Sequence, residues 1–111
     1  MSSLKQGDII KADLNPTLGH EQAGYRPLLV VSNDYTNKVV RDIIKVLPIT
    51  STLRNFPLHI PLPDDLITHG MVLVEQEKAI DISYRSYKYI EHVPDEFLDK
   101  VINILMLTIK R

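Results

Sequence analysis

The apolar positions change period along the chain, and that change divides it into elements. Gly7 to Leu14 is short and partly alternating and is closed by the turn pair Asn15-Pro16, which predicts a first strand. Leu28 to Val31 is a continuous apolar run after Pro27, the pattern of a strand covered on both faces, and Ser32-Asn33-Asp34 stops it. Asp42 to Ile49 predicts a third strand, with Pro48 putting its end at an edge. Leu58 to Leu62 lies among Pro57, Pro61 and Pro63, which limits it to an edge strand or an extended connection. Met71 to Val74, Ala79 to Ile82 and Tyr87 to Val93 complete six or seven short strands.

The last element has a helical period. Phe97, Leu98, Val101, Ile102, Leu105 and Ile109 fall on one face at about 100° per residue. Pro94 suits the first helical position, Asp95 and Glu96 complement the positive end of the helix dipole, and Lys110-Arg111 the negative end. Ile104 and Leu107 project outside the stripe, and contact with a second copy would cover them. Short strands followed by one helix predict an α+β fold, mainly β, with a small and strongly bent sheet or barrel in one domain spanning residues 1–111.

The Pro16 to Gly24 stretch breaks the pattern. It holds two glycines, His20, Glu21 and Gln22 but little to bury, so it reads as a surface loop of the kind that forms lids or binding rims.

Composition then removes whole classes of function. A chain of 111 residues is too short for a nucleotide domain plus a substrate domain. It has no cysteine, which excludes disulfides, thiolate metal sites and a thiol nucleophile, and fits a reducing cytoplasm. No His pair has metal-ligand spacing beside a suitable carboxylate, so neither a metal nor another cofactor is expected. The longest apolar-rich run, Val101 to Ile109, is far short of a membrane span, and Met1 to Asp13 lacks the apolar core of a signal peptide. The net charge of -1 excludes a general polycation, and any nucleic-acid site must be local. Residues 1–60 carry seven Lys plus Arg against five Asp plus Glu, an excess of +2. Residues 61–111 carry six against nine, an excess of -3, so an anion fits the N-terminal half better.

Taken one at a time, the polar residues have ordinary explanations. An isolated Arg26-Pro27 is a surface charge at a strand start. Thr50-Ser51-Thr52 makes a turn whose hydroxyls bond the backbone. His20-Glu21 is a solvated pair, and Gln76 is turn surface or a reader of base edges. Tyr84, Tyr87 and Tyr89 pack between sheet and helix or stack on bases.

Together they carry a resemblance. Gly7-Asp8-Ile9-Ile10, then Asp13-Leu14-Asn15-Pro16-Thr17, then Gly19-His20-Glu21-Gln22-Ala23-Gly24-Tyr25-Arg26-Pro27 and Val30-Val31-Ser32-Asn33-Asp34 resemble the MazF/PemK family of toxin endoribonucleases. The likeness continues in Pro48-Ile49-Thr50-Ser51, in Gly70 to Gln76, in Ala79-Ile80-Asp81 and in the helix after Pro94, so it spans nearly the whole chain. It implies an SH3-like barrel with a C-terminal helix, a homodimer, metal-independent and sequence-specific cleavage of single-stranded RNA, and a cognate antitoxin that blocks the site. It also implies that Arg26 and Thr50 contact the scissile phosphate, with Ser51 as a secondary hydroxyl. The loop of His20, Glu21 and Gln22 would border the RNA groove, and Gln76 would contact RNA. One branch of the family uses an arginine two residues before an acidic residue; this chain has Leu73 and Glu75 there. That branch proposes a histidine at the His20 position as an acid or base.

The chemistry suits these residues. RNA supplies its own nucleophile, the 2′-hydroxyl, so an enzyme need only align it, move two protons and neutralise the phosphorane. A guanidinium offers forked donors to two phosphate oxygens, and a threonine hydroxyl adds a third donor. The alternative is a non-catalytic toxin like CcdB, which inhibits DNA gyrase through its C-terminal helix. It would leave Arg26 and Thr50 without a task. A plain SH3-like interaction module would do the same to the Pro16 to Pro27 loop.

Overall fold

A computed structural model describes residues 4–14 and 24–111. Seven strands and two helices follow one another as β1 (Asp8–Asp13), β2 (Tyr25–Val30), α1 (Asp34–Val39), β3 (Ile43–Thr50), β4 (His59–Pro61), β5 (Met71–Leu73), β6 (Lys78–Asp81), β7 (Tyr87–His92) and α2 (Asp95–Leu107), with a 3₁₀ turn at Val74–Gln76. All strand pairs are antiparallel. The strand order is β4-β5-β3-β2-β1-β7, and β6 also pairs with β3. The fold is α+β, mainly β and barrel-like, as the short strands and single long helix predict. The expected binding rim with His20, Glu21 and Gln22 lies outside the described residues.

Strand β3 organises the sheet. One edge pairs with β2, from Leu28↔Pro48 to Val30↔Val46. Its other edge is shared: Ile43 to Val46 pair with β6, and Ile49 and Thr50 pair with β5. Pro48 therefore does not mark a sheet edge. It sits where the second partner changes from β6 to β5, a gap that tolerates a residue without an N–H.

Alternation along the strands builds two cores. Ile9, Leu29, Leu47, Ile49, Val72 and Ile60 face α2 and bury Phe97, Leu98, Val101 and Leu105. On the other face, Ile10, Ala12, Leu28, Val30, Ile44, Val46 and Ile80 close on Leu4 and Leu14. Tyr87 packs against this second core rather than between sheet and helix, while Tyr84 and Tyr89 are exposed.

The helix differs in its ends. Pro94 is the N-cap, extended at ψ 146°, not the first helical residue. The helix stops at Leu107, so Ile109 leaves the apolar stripe and is exposed, and Lys110 and Arg111 lie beyond the last turn. Ile102 and Ile104 are partly buried against the helix-side core, so Ile104 needs no second copy to cover it, whereas Leu107 is 73% exposed. Helix α1 has no counterpart in the sequence-based expectation. It is six residues long and buries none of them; the Asn33 side chain caps it by accepting the Thr36 N–H at 2.8 Å.

Leu47 of β3 is fully buried in the core that packs against α2. Leu47→Ala is expected to lower the unfolding free energy by about 2–5 kcal/mol in a urea titration. Leu53→Ala, at a 74% exposed position, should stay within about 0.5 kcal/mol.

Candidate functional site

The site grows from one end of the β2–β3 ladder. Paired residues in an antiparallel sheet share a face, so the even positions of β2 and β3 point away from α2. Continuing the Leu28↔Pro48 register by two residues sets Arg26 opposite Thr50, where the apolar cover of the second core ends. The folded chain agrees: an Arg26 Nη donates to the Ile49 carbonyl oxygen at 3.3 Å, and Arg26 is half-buried. On the outer side of Thr50 stands Met71, and outside that Pro61, both on the same face.

Thr50 is oriented by its own turn. Its Oγ1 accepts the Thr52 N–H at 3.2 Å, the hydroxyl-to-backbone bond expected of that tripeptide. An accepting hydroxyl keeps its proton to give, so Thr50 remains able to donate. Ser51 follows, exposed.

A glycine backs the turn. Gly70 has φ +128°, a conformation other residues rarely adopt, and a Cβ there would stand 2.1 Å from the Thr50 carbonyl oxygen and 2.9 Å from its carbon. The β5 entry thus presses backbone against backbone behind Thr50. Gly70 is held in turn by its carbonyl, which accepts the Leu62 N–H at 3.0 Å. The preceding loop is pinned by Glu91 of β7, whose carboxylate accepts the Ile67 N–H at 3.0 Å and the Thr68 N–H at 2.7 Å. Burial works to raise the pKa of Glu91. The Thr68 hydroxyl, the two N–H donors and nearby His69 outweigh it and hold the carboxyl below the ordinary glutamate range.

Across the same face lies a pair that sequence reasoning did not single out. His59 Nε2 and Glu75 Oε2 are 2.8 Å apart, joining β4 to the 3₁₀ turn after β5. Gln76 ends that turn, half-buried. Leu73, two residues before Glu75, is buried at 2% exposure in the second strand from the edge, and His59 stands directly across from it. The sequence pointed to Glu75, through its place in the family resemblance, but not to His59, which lay unremarked within the Pro57 to Pro63 segment. The structure thus brings Arg26, Thr50 and Ser51 to one strand end, with Gln76 on the neighbouring turn. Among the described residues, no three His, Asp or Glu side chains converge as metal ligands. Nor is any helix there long and apolar enough to cross a membrane.

Known proteins match this chain over nearly its whole length. The family model for PemK-like, MazF-like toxins of type II toxin-antitoxin systems matches residues 5–109. The chain belongs to the MazF/PemK toxin family. This is the family of the main expectation and not that of the CcdB-like alternative. Among family relatives, it is 35% identical to endoribonuclease EndoA of Bacillus subtilis (strain 168), covering 96% of this chain and 94% of that protein. It is 34% identical to endoribonuclease PemK of Escherichia coli, covering 94% and 80%. The fold superposes on MazF from Deinococcus radiodurans with a TM-score of 0.90, 27% identity and full coverage of both chains. It also matches a chain of a MazE-MazF crystal from that organism, with a TM-score of 0.83, 28% identity and coverage of 98% and 97%.

The Glu91 latch makes an acid-dependent contribution. A carboxyl whose pKa is lower folded than unfolded stabilises the fold fully above the unfolded value, about 4.3. That stabilisation is lost as the pH falls through the lowered folded value. Thermal melts of parent and Glu91→Gln toxin should therefore differ most at neutral pH and converge on acidification below pH 4.

Proposed function

We propose that this toxin is a metal-independent, sequence-specific endoribonuclease that cuts single-stranded RNA through Arg26 and Thr50 and is neutralised by a cognate antitoxin. The observation that carries the proposal is the meeting of a guanidinium and a donor-ready hydroxyl at one strand end, backed by a rigid glycine contact. The relatives EndoA and PemK are named endoribonucleases, and MazF is seen with MazE, which supports both the activity and the partner.

In the proposed reaction the 2′-hydroxyl attacks the adjacent phosphorus, the P–O5′ bond breaks, and the products carry a 2′,3′-cyclic phosphate and a 5′-hydroxyl. Arg26 clamps two non-bridging oxygens with forked donors, and its hold strengthens as charge builds on the phosphorane. Thr50 gives its hydroxyl proton as a hydrogen bond to the same phosphate, with Ser51 beside it. His20, Glu21, Gln22 and Gln76 contact the RNA around the cut. The toxin acts in the cytoplasm as a homodimer, a reading supported by Met106, Leu107 and Ile109, exposed together at the end of α2. An acidic antitoxin segment would compete with RNA for Arg26.

Arg26→Ala should abolish cleavage while leaving the melting temperature close to that of the parent. Arg26→Lys should restore little, since it offers one point charge in place of a fork. Thr50→Ala should slow the reaction roughly 10²- to 10³-fold, and Thr50→Ser should keep much of the rate. The assay is cutting of single-stranded RNA in excess EDTA with analysis of the ends. Full activity in Arg26→Ala, or loss of parent activity in EDTA, would refute the mechanism.

A further inference from the structure

The strand order runs from β4 at one end to β7 at the other, and a side chain ties the two ends together. Between β4 and β5 the chain makes the loop of residues 62–70, which returns against β7, where Glu91 receives it. The N–H groups that Glu91 accepts belong to successive residues, Ile67 at 3.0 Å and Thr68 at 2.7 Å, which lie 24 and 23 positions away in sequence. Successive N–H groups aimed at one point form an anion site, and here the carboxylate of another element fills it. The Thr68 hydroxyl bonds the same carboxylate, and Thr68 is 9% exposed. The Ile67 side chain is 73% exposed and does not hold the loop. Leu62 and Leu66 pack on the helix-side core, so the loop has apolar anchors before position 67 and a carboxylate at 67 and 68.

What Glu91 holds lies two residues from the backbone behind Thr50. Two residues reach at most about 7 Å, so a fixed Thr68 leaves Gly70 little freedom. Gly70 is gripped from its other side by the Leu62 N–H on its carbonyl, at 3.0 Å. Its backbone stands so close to Thr50 that a Cβ would come within 2.1 Å of the Thr50 carbonyl oxygen. Thr50 is the last residue of β3, and it pairs with Met71, the residue after Gly70. Gly70 therefore braces the backbone that carries the Thr50 hydroxyl just where the ladder ends. Arg26 is placed differently, by its register with Ala12 of β1 and by its bond to the Ile49 carbonyl.

We propose that Glu91 is a positioning residue for RNA cleavage: by holding the backbone at Ile67 and Thr68 it fixes Gly70 against the Thr50 carbonyl and so aims the Thr50 hydroxyl at the phosphate. The relay rests on the endoribonuclease reading above and adds to it a residue on a distant strand that touches no RNA. Its influence falls on Thr50 and not on the Arg26 clamp. Binding of the ground-state phosphate is therefore spared, and the step in which charge develops is not.

The test is a double-mutant cycle on the cutting of single-stranded RNA, at a temperature where circular dichroism shows every variant folded. Glu91→Ala should lower kcat about tenfold, part of the roughly 10²-fold that a 1 Å misplacement can cost, with KM unchanged. In the Thr50→Ala background the same change should cost less than about twofold, because the hydroxyl that Glu91 aims is gone. Thr68→Val keeps both N–H donors and loses one hydroxyl, so it should lower kcat in the same direction by a smaller factor, and it carries the cycle if Glu91→Ala does not fold. Without RNA, the amide NMR resonance of Thr52, whose N–H binds Thr50 Oγ1, should move in the Glu91 variant or, failing that, in Thr68→Val. A kcat equal to that of the parent, a loss carried by KM, or an equal loss with and without the Thr50 hydroxyl overturns the relay. With the parent cutting RNA, each of these results leaves the endoribonuclease standing and removes only the role of Glu91. An unmoved Thr52 resonance overturns the relay whether or not RNA is cut. A parent that cuts no RNA overturns both readings.

Discussion

Strand β3 must satisfy its backbone along two edges while its side chains serve two cores, and the rest of the molecule is arranged around that demand. Buried N–H and C=O groups have to be paired, and β3 meets this with β2 on one side and with β6 then β5 on the other. The change of partner falls beside Pro48, whose missing N–H would otherwise leave a hole in the ladder. The same change lets the sheet turn away from itself, so that β5 and β4 form a second wing.

The functional end of the sheet follows from this. Leu47 and Ile49 of β3 are packed in the helix-side core, and Ile44 and Val46 in the second core, so the strand is fixed on both faces. Thr50 is the first even position past that core, and Arg26 is its neighbour in register. The phosphate clamp proposed at this point would inherit the rigidity of two packed faces without being buried in either. Such preorganisation makes a donor effective toward developing charge, because the protein has nothing left to reorganise as charge appears.

Most of this was legible in the sequence where a local pattern reported it. Period two and period 3.6 marked the strands and α2, and the run from Asp13 to Pro27 with the Pro48-to-Ser51 stretch pointed to Arg26 and Thr50. What was hidden depended on neighbours distant in the chain. Pro48 looked like an edge marker because nothing local reveals two successive partners on one side. Helix α1 escaped notice because six residues with no buried side chain have no apolar stripe. Its one local sign was the Asn33 cap, lost among the residues that ended the preceding strand. His59 and Glu75 are sixteen positions apart and meet only because β4 folds back on β5. Pro94 and Ile109 were misplaced by short distances, since helix ends depend on capping geometry more than on period.

Gly70 has a genetic consequence. Every other amino acid carries the Cβ that the Thr50 carbonyl excludes, so any missense change of that codon pushes on the Thr50 backbone. For a cell burdened by an unrestrained toxin, survivors should often carry substitutions here, at a residue without a reactive group and forty-four positions from Arg26. The toxin's vulnerability to disarming mutation thus extends beyond the groups that would touch its substrate, to an absent methyl behind one of them.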